Sequence, residues 1–210
     1  KSALRDFPTS STGPKDEVSL LIFADGQVEV AVPFTGDRAR VLAVLDRTEA
    51  FGKTALNDAV AVSPEFASRG KNEKRALILI TDGIENDSQA SPEQALEIAR
   101  RVDVPIYTIG FGIPLGEQLL AKYKRGAQVT SAGIIATLDR FSQATGGRAF
   151  FINASQDLRS ALFDIRKELS HHYLIGYTSY ISADGEYRRI RVSAGFSSSS
   201  TSAGPSTNSR

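Results

Sequence analysis

The sequence predicts a doubly wound, mainly parallel α/β sheet with one antiparallel edge strand, followed by a C-terminal β-hairpin. Three observations lead there. Strand-like and helix-like patterns alternate from about residue 15 to about residue 172, as they must where parallel strands are joined by helical crossovers. Residues 76–80 and 104–109 are apolar runs without polar alternation, the pattern of strands covered on both faces. Asp25-Gly26 joins two further strand-like stretches, and that dipeptide suits a tight hairpin turn, which adds an antiparallel neighbour.

The elements follow in order. Residues 18–23 (Val-Ser-Leu-Leu-Ile-Phe) read as the first strand and 28–34 as its antiparallel partner. In the partner, Val28, Val30 and Val32 alternate with Glu29 and Ala31, as in a half-exposed edge strand. Asp37 opens a helix carrying Val41, Leu42, Val44 and Leu45, and Gly52 closes that stretch. A second helix starts near Thr54 and is expected to kink or end at Pro64, which lacks the N–H that an interior helical position donates. The run 76–80 is expected to be the central strand, ending at Thr81-Asp82-Gly83. Ser91-Pro92-Glu93-Gln94 combines an N-cap serine, a first-turn proline and a capping-box glutamine, the best-marked helix start in the chain.

Residues 104–109 form the next buried strand, and the partly charged segment 115–124 suits a short helix. Ile134, Ile135, Leu138 and Phe141 share one helical face, closed by Gly146-Gly147. A short strand over 148–152 precedes a helix capped by Ser155, whose inner stripe is Leu158, Ala161, Leu162, Ile165 and Leu169. The division expected is a main α/β domain over 1–172, a hairpin over 173–195 around Asp184-Gly185, and a Ser-rich tail over 196–210. That tail is too poor in apolar groups to offset the entropy of ordering it.

Composition narrows the function. In 210 residues there is no cysteine, which removes disulfides, thiol catalysis and cysteine-based zinc sites together. A formal charge of +1, with both signs spread along the chain, offers no footprint for nucleic acid. No apolar run reaches the ~20 residues that span a bilayer, and residues 1–12 hold no signal-peptide core. Position 1 is Lys rather than Met, so further polypeptide is expected upstream.

In an open parallel sheet, ligands bind beyond the carboxyl ends of the strands. Two stretches carry hard oxygen donors at such places. Thr54 lies just before a helix in Gly52-Lys53-Thr54-Ala55-Leu56, and Asp82 leaves the end of the 76–80 run, with Glu85 and Asp87 close behind. A hydroxyl and a carboxylate suit Mg²⁺, Mn²⁺ or Ca²⁺. The same residues also suit a helix N-cap and a turn, and spacing alone leaves both readings open.

The motifs Asp-Glu-Val-Ser-Leu-Leu-Ile-Phe (16–23), Val-Pro-Phe-Thr (32–35), Gly-Lys-Thr-Ala-Leu (52–56), Ala-Leu-Ile-Leu-Ile-Thr-Asp-Gly (76–83) and Val-Pro-Ile-Tyr-Thr-Ile-Gly-Phe-Gly (104–112), in this order, resemble the von Willebrand factor A (VWA) family. Ala-Thr-Gly-Gly-Arg-Ala-Phe-Phe (144–151), Tyr-Leu-Ile-Gly-Tyr (173–177) and Tyr-Arg-Arg-Ile-Arg-Val (187–192) are similar to its bacterial branch, whose members are commonly exported. The resemblance implies a noncatalytic protein-interaction or adhesion module, extracytoplasmic or secreted. Its metal-ion-dependent adhesion site takes an Asp-x-Ser-x-Ser loop, a Thr and an Asp, and a partner's acidic side chain completes the cation's shell. Thr54 matches the Thr and Asp82 the Asp. No Asp-x-Ser-x-Ser precedes Val18, and residues 1–7 match only the end of the family's first helix, so the first strand and three of five ligands are expected to be missing. Metal affinity in this chain is therefore expected to be weak or absent. The resemblance also puts the missing strand between 18–23 and 76–80, leaving a gap in the sheet.

An alternative class is a divalent-metal hydrolase, or a VWA subunit regulating an ATP-driven complex. It needs a base near Asp82, and Glu85 and Asp87 are the local candidates. A further possibility is a module that binds partners without metal. There is no P-loop and no Gly-x-Ser-x-Gly elbow. His171-His172 reads as helix-terminal packing, and Lys71, Lys74 and Arg75 as a solvated approach to a strand.

Overall fold

The computed structural model describes residues 13–49, 51–113, 119–122 and 128–171. The expected hairpin at 173–195 and tail at 196–210 lie outside the described residues, as do residues 1–7. Strand β1 (Val18–Ala24) and β2 (Gln27–Thr35) pair antiparallel. Asp25 and Gly26 both take positive φ, 48° and 72°, as a two-residue turn matched to the strands' twist requires. Helix α1 (Arg38–Arg47) starts at Asp37, whose side chain accepts from Arg40 N. Helix α2 (Leu56–Ser68) follows, then β3 (Leu77–Thr81) and α3 (Pro92–Ala99), which has the full Ser91/Gln94 capping box. Strand β4 (Ile106–Phe111), the short pair β5 (Leu119–Lys122) and β6 (Gln128–Thr130), α4 (Ser131–Thr145), β7 (Ala149–Ile152) and α5 (Ser155–Ser170) complete the described chain.

The result is an α/β fold with a parallel three-stranded sheet, order β3-β4-β7, and the antiparallel β1-β2 pair as a separate sheet. Strand alternation divides the core. Ile106 on β4 packs with Leu56 and Val60 of α2, Leu96 of α3, and Leu138 and Phe141 of α4. Tyr107 and Ile109 point the other way, to Leu158, Leu162 and Ile165 of α5. Thr108, on the α4 side, is fully buried, and its hydroxyl lies 3.0 Å from Ser142 Oγ and 3.2 Å from the Leu138 carbonyl, so no polar group is stranded there.

Four expectations are corrected. The central strand is β4, not the 76–80 run. β3 lies at the edge of its sheet, with Leu77, Ile78 and Ile80 only half-buried, whereas five of the six residues of β4 are buried. Pro64 neither ends nor interrupts α2, which continues to Ser68. Pro64 is buried with Val60 and Ala67, and that packing outweighs a missing hydrogen bond and ring clash of about 3 kcal/mol. Within the segment expected as a short helix, Leu119–Lys122 is a strand, paired antiparallel with β6. The cap of α5 is Ala154 rather than Ser155, and the N-terminal turn is closed by Asp157, whose carboxylate accepts from Ala154 N at 3.2 Å.

The gap expected in the sheet is present among the described residues: β1 pairs only with β2, and β3 only with β4.

Candidate functional site

Thr54 and Asp82 come from two loops that are clamped to each other. Thr54 N donates to Asn86 Oδ1 at 2.7 Å, and the Thr54 carbonyl accepts from Asn86 N and Asp87 N. In the first turn of α2, Asn57 N donates to Glu85 Oε2 and Ser88 Oγ, both at 3.0 Å, and Asn57 Nδ2 donates to the Ala90 carbonyl. Asp58 accepts from Gln89 N and Ala90 N. The start of α2 and the loop leaving β3 thus hold one another by charge-assisted and backbone bonds. This network also satisfies N–H groups that a helix start leaves without intrahelical partners.

Two glycines are required here. Gly83 has φ 75°, and a Cβ on it would stand 2.2 Å from Ile134 Cγ2, so the chain can turn beneath α4 only with no side chain present. Gly52 has φ 69°, and its Cβ would meet the Asp25 carboxylate. That close approach allows Asp25 Oδ1 to accept from Lys53 N at 2.8 Å, while Asp25 N donates to the Lys53 carbonyl. Lys53 Nζ in turn lies 3.2 Å from Asp87 Oδ1. The loops after β1, before α2 and after β3 therefore meet at one end of the molecule.

Asp82 is exposed and Thr54 half-buried. Ile84 N donates to Asp82 Oδ1 at 3.0 Å, the turn role that spacing allowed. Among the described residues, neither Asp82 Oδ2 nor Thr54 Oγ1 takes a hydrogen bond from the protein. Thr54 is not the N-cap of α2: that position is Ala55, with no side-chain cap. The hydroxyl thus has no capping duty. Both oxygens suit a hard cation, but no group of three or more His, Cys, Asp or Glu among the described residues is disposed to hold one. The neighbouring carboxylates of Asp25 and Asp87 are engaged with Lys53. Two ligands leave a shell of about six mostly to water.

Glu85, a candidate base for hydrolysis, is fully used. Its Oε1 accepts from Asp87 N and Ser88 N, and its Oε2 from Asn57 N and Ser88 Oγ, at 2.6 to 3.0 Å. Both of its oxygens are thus committed to the clamp. Sequence reading missed Asn57, Asp58, Asn86 and Ser88 as the clamp. The only signal was the polar run 85–88, because the partners lie some thirty residues away. His171 ends α5 with Nδ1 2.7 Å from the Lys167 carbonyl, the helix-terminal role expected of it; His172 lies outside the described residues. Lys71, expected in a solvated approach, donates its backbone N–H to Glu17 Oε1 and has its ammonium 3.7 Å from Oε2.

Comparison with known proteins bears on the fold. The family model for the von Willebrand factor type A domain matches residues 1–85, a stretch that includes both Thr54 and Asp82. An uncharacterized protein of Borreliella burgdorferi is 24% identical over 177 residues, 80% of this chain and 50% of its own length. The chain spans about half the length of the relatives it matches. Among solved structures, the conserved hypothetical protein BatB of Bacteroides thetaiotaomicron superposes with TM-score 0.61 at 16% identity, over 81% of this chain and 86% of its own. A von Willebrand factor type A protein of Catenulispora acidiphila gives 0.56 at 16%, over 80% and 37%. The pilus adhesin SpaC of Lactobacillus rhamnosus GG gives 0.60 at 12%, over 80% and 27%. At these identities the superpositions speak for the fold alone, and it is over residues 1–85 that the chain matches the von Willebrand factor type A domain.

Proposed function

We propose that this chain is a noncatalytic protein-interaction module that engages its partner at the loop end carrying Thr54 and Asp82. A divalent cation, Mg²⁺ or its Mn²⁺ or Ca²⁺ substitute, would take Asp82 Oδ2 and Thr54 Oγ1, and an acidic side chain of the partner would complete its shell. One observation carries this reading: two loops, clamped by hydrogen bonds, present two hard oxygens that no donor among the described residues uses. The family match supports a protein-interaction role, and the pilus adhesin with the same fold is one precedent for adhesion. The engagement of Glu85 by four donors weighs against the hydrolase alternative. No described helix is long and apolar enough to cross a membrane. The placement we propose, outside the cytoplasm, rests on likeness to the exported branch.

The test is a Mn²⁺ titration followed by water-proton relaxation, repeated on Asp82→Ala and Thr54→Val. Binding weaker than micromolar, lost in Asp82→Ala and reduced in Thr54→Val, is expected. Binding unchanged by either substitution would remove these residues from the site, and the metal-free interaction reading would take its place. Micromolar binding would overturn the two-ligand shell. In the full-length protein, Asp82→Ala should abolish partner capture if the cation mediates it.

A further inference from the structure

Strand β2 pairs with β1 along one edge, and among the described residues its other edge has no neighbour. That edge lies on the side of β2 away from β1, so it stays an edge whatever fills the gap beside β1. The hairpin register decides which backbone groups it carries. The two-residue turn Asp25-Gly26 closes on the pair Ala24/Gln27, and pairing continues through Phe23/Val28, Ile22/Glu29 and Leu21/Val30. Hydrogen-bonded and non-hydrogen-bonded pairs alternate from such a turn. Gln27 and Glu29 therefore direct their N–H and C=O groups to β1, and Val28 and Val30 direct theirs outward. The open stretch ends soon after. Leu21 pairs with Val30 and Leu20 with Val32, so Ala31 is an extra residue that bulges the strand, and Pro33 has no N–H to offer.

What can pair here follows from that geometry. The outward N–H and C=O groups of Val28 and Val30, two residues apart, fit an antiparallel strand that exchanges both bonds with each of them. The strand's residue between those two stands opposite Glu29 in the closer, non-hydrogen-bonded kind of pair, with Cα atoms about 4.5 Å apart. Glu29 is exposed and enters no ion pair or hydrogen bond among the described residues, so a cation is favoured opposite it. Val30 is 38% exposed and Val28 shares its face, which favours apolar residues at the two flanking positions. A second copy of this chain fits poorly. To match the outward groups of both copies, Val28 must meet Val30 and Glu29 must meet Glu29, which sets like charges at the closest spacing.

We propose that the outer edge of β2 binds an extended, antiparallel segment of a partner polypeptide, in which an apolar residue, an arginine or lysine and a second apolar residue face Val30, Glu29 and Val28 in turn. β2 carries neither Thr54 nor Asp82 and the pairing needs no metal, so this binding and the cation-mediated one fail separately.

The probe is the end-blocked synthetic peptide Thr-Val-Arg-Val-Thr, compared with Thr-Val-Glu-Val-Thr, on the protein and on its Glu29→Lys variant. Amide hydrogen exchange is followed residue by residue by NMR in EDTA. Without peptide, protection at Val28 and Val30 is expected to be about tenfold lower than at Gln27 and Glu29. At saturation the arginine peptide is expected to slow Val28 and Val30 about tenfold and to leave Gln27 and Glu29 unchanged. The glutamate peptide should have no effect, and in Glu29→Lys the two peptides should exchange roles. The proposal is overturned if the arginine peptide leaves Val28 and Val30 unchanged, or if the glutamate peptide protects them equally. Failure of the preference to reverse in Glu29→Lys overturns it too, because the pairing would then ignore the charge. It is also overturned if Val28 and Val30 are as protected as Gln27 and Glu29 without peptide. In that case dependence on protein concentration would assign the edge to a second copy, and independence to this chain's own residues.

Discussion

Strands β4 and β1 have similar composition and opposite situations. β4, Ile-Tyr-Thr-Ile-Gly-Phe, has a parallel neighbour on each edge and five buried residues. β1, Val-Ser-Leu-Leu-Ile-Phe-Ala, is at least as apolar, pairs on one edge only among the described residues, and buries only Ala24. Apolarity makes a strand able to be covered, whereas neighbours on both edges and both faces decide whether it is. The half of the molecule built on β4 is closed and the half built on β1 is open, and the loops carrying Thr54 and Asp82 join them.

The largest test of this contrast uses the same truncation in each half. Ile109 is fully buried between β4 and α5, and Ile109→Ala is expected to cost about 2–5 kcal/mol. Ile22 in β1 is half-buried, and Ile22→Ala should cost about 1–2 kcal/mol, since less surface leaves an apolar environment. Urea denaturation of both variants decides it. Equal losses would mean that β1 is as enclosed as β4, and the contrast would fail.

A middle-sized effect belongs to the junction. Glu85→Ala withdraws one carboxylate from four donors, among them the Asn57 N–H at the start of α2. Charge-assisted bonds contribute about 1.5–3 kcal/mol each and do not add within one network, so the expected loss is about 2–3 kcal/mol. Exchange should quicken first over 85–90 and the first turn of α2, leaving β4 unaffected. A loss below about 0.5 kcal/mol would show that the clamp is solvated and holds nothing.

What was legible in the sequence follows the same division. Features set within a few residues were readable: the Asp25-Gly26 turn, the Asp37 cap and the Ser91/Gln94 box all stand where their residue types demand. Features set by distant partners were not. Which of two apolar runs is central depends on which strands pair, and nothing in residues 76–80 carries that. Pro64 was misjudged because propensity counts the lost hydrogen bond but not the packing around the ring. Thr54 and Asp82 lie in loops of one end, as strand and helix ends in the sequence imply, yet their clamp, made by Asn57, Asp58, Asn86 and Ser88, joins segments some thirty residues apart. The helix expected over 115–124 failed because a short charged stretch has no period strong enough to choose between helix and strand.

The smallest effect probes how closed the β4 half stays. Tyr107 is 2% exposed in the middle of that strand. Burial pushes its phenol above the ordinary tyrosine range, the nearby Glu168 carboxylate adds to this, and Arg148 opposes it. The phenol is neutral when protonated, so the folded chain holds this proton to higher pH than the unfolded chain does. Between the two pKa values the native state binds more protons, and stability falls as pH rises. The contribution is therefore complete below the unfolded value of ~10 and is lost as pH climbs through the raised, folded one. Absorbance at 295 nm should resolve one of the six tyrosines titrating above the rest, and Tyr107→Phe should remove that step. The same substitution should flatten the fall of stability above about pH 10. If instead all tyrosines titrate together while the fold persists, water reaches the middle of β4, and the closed half is more open than its neighbours imply.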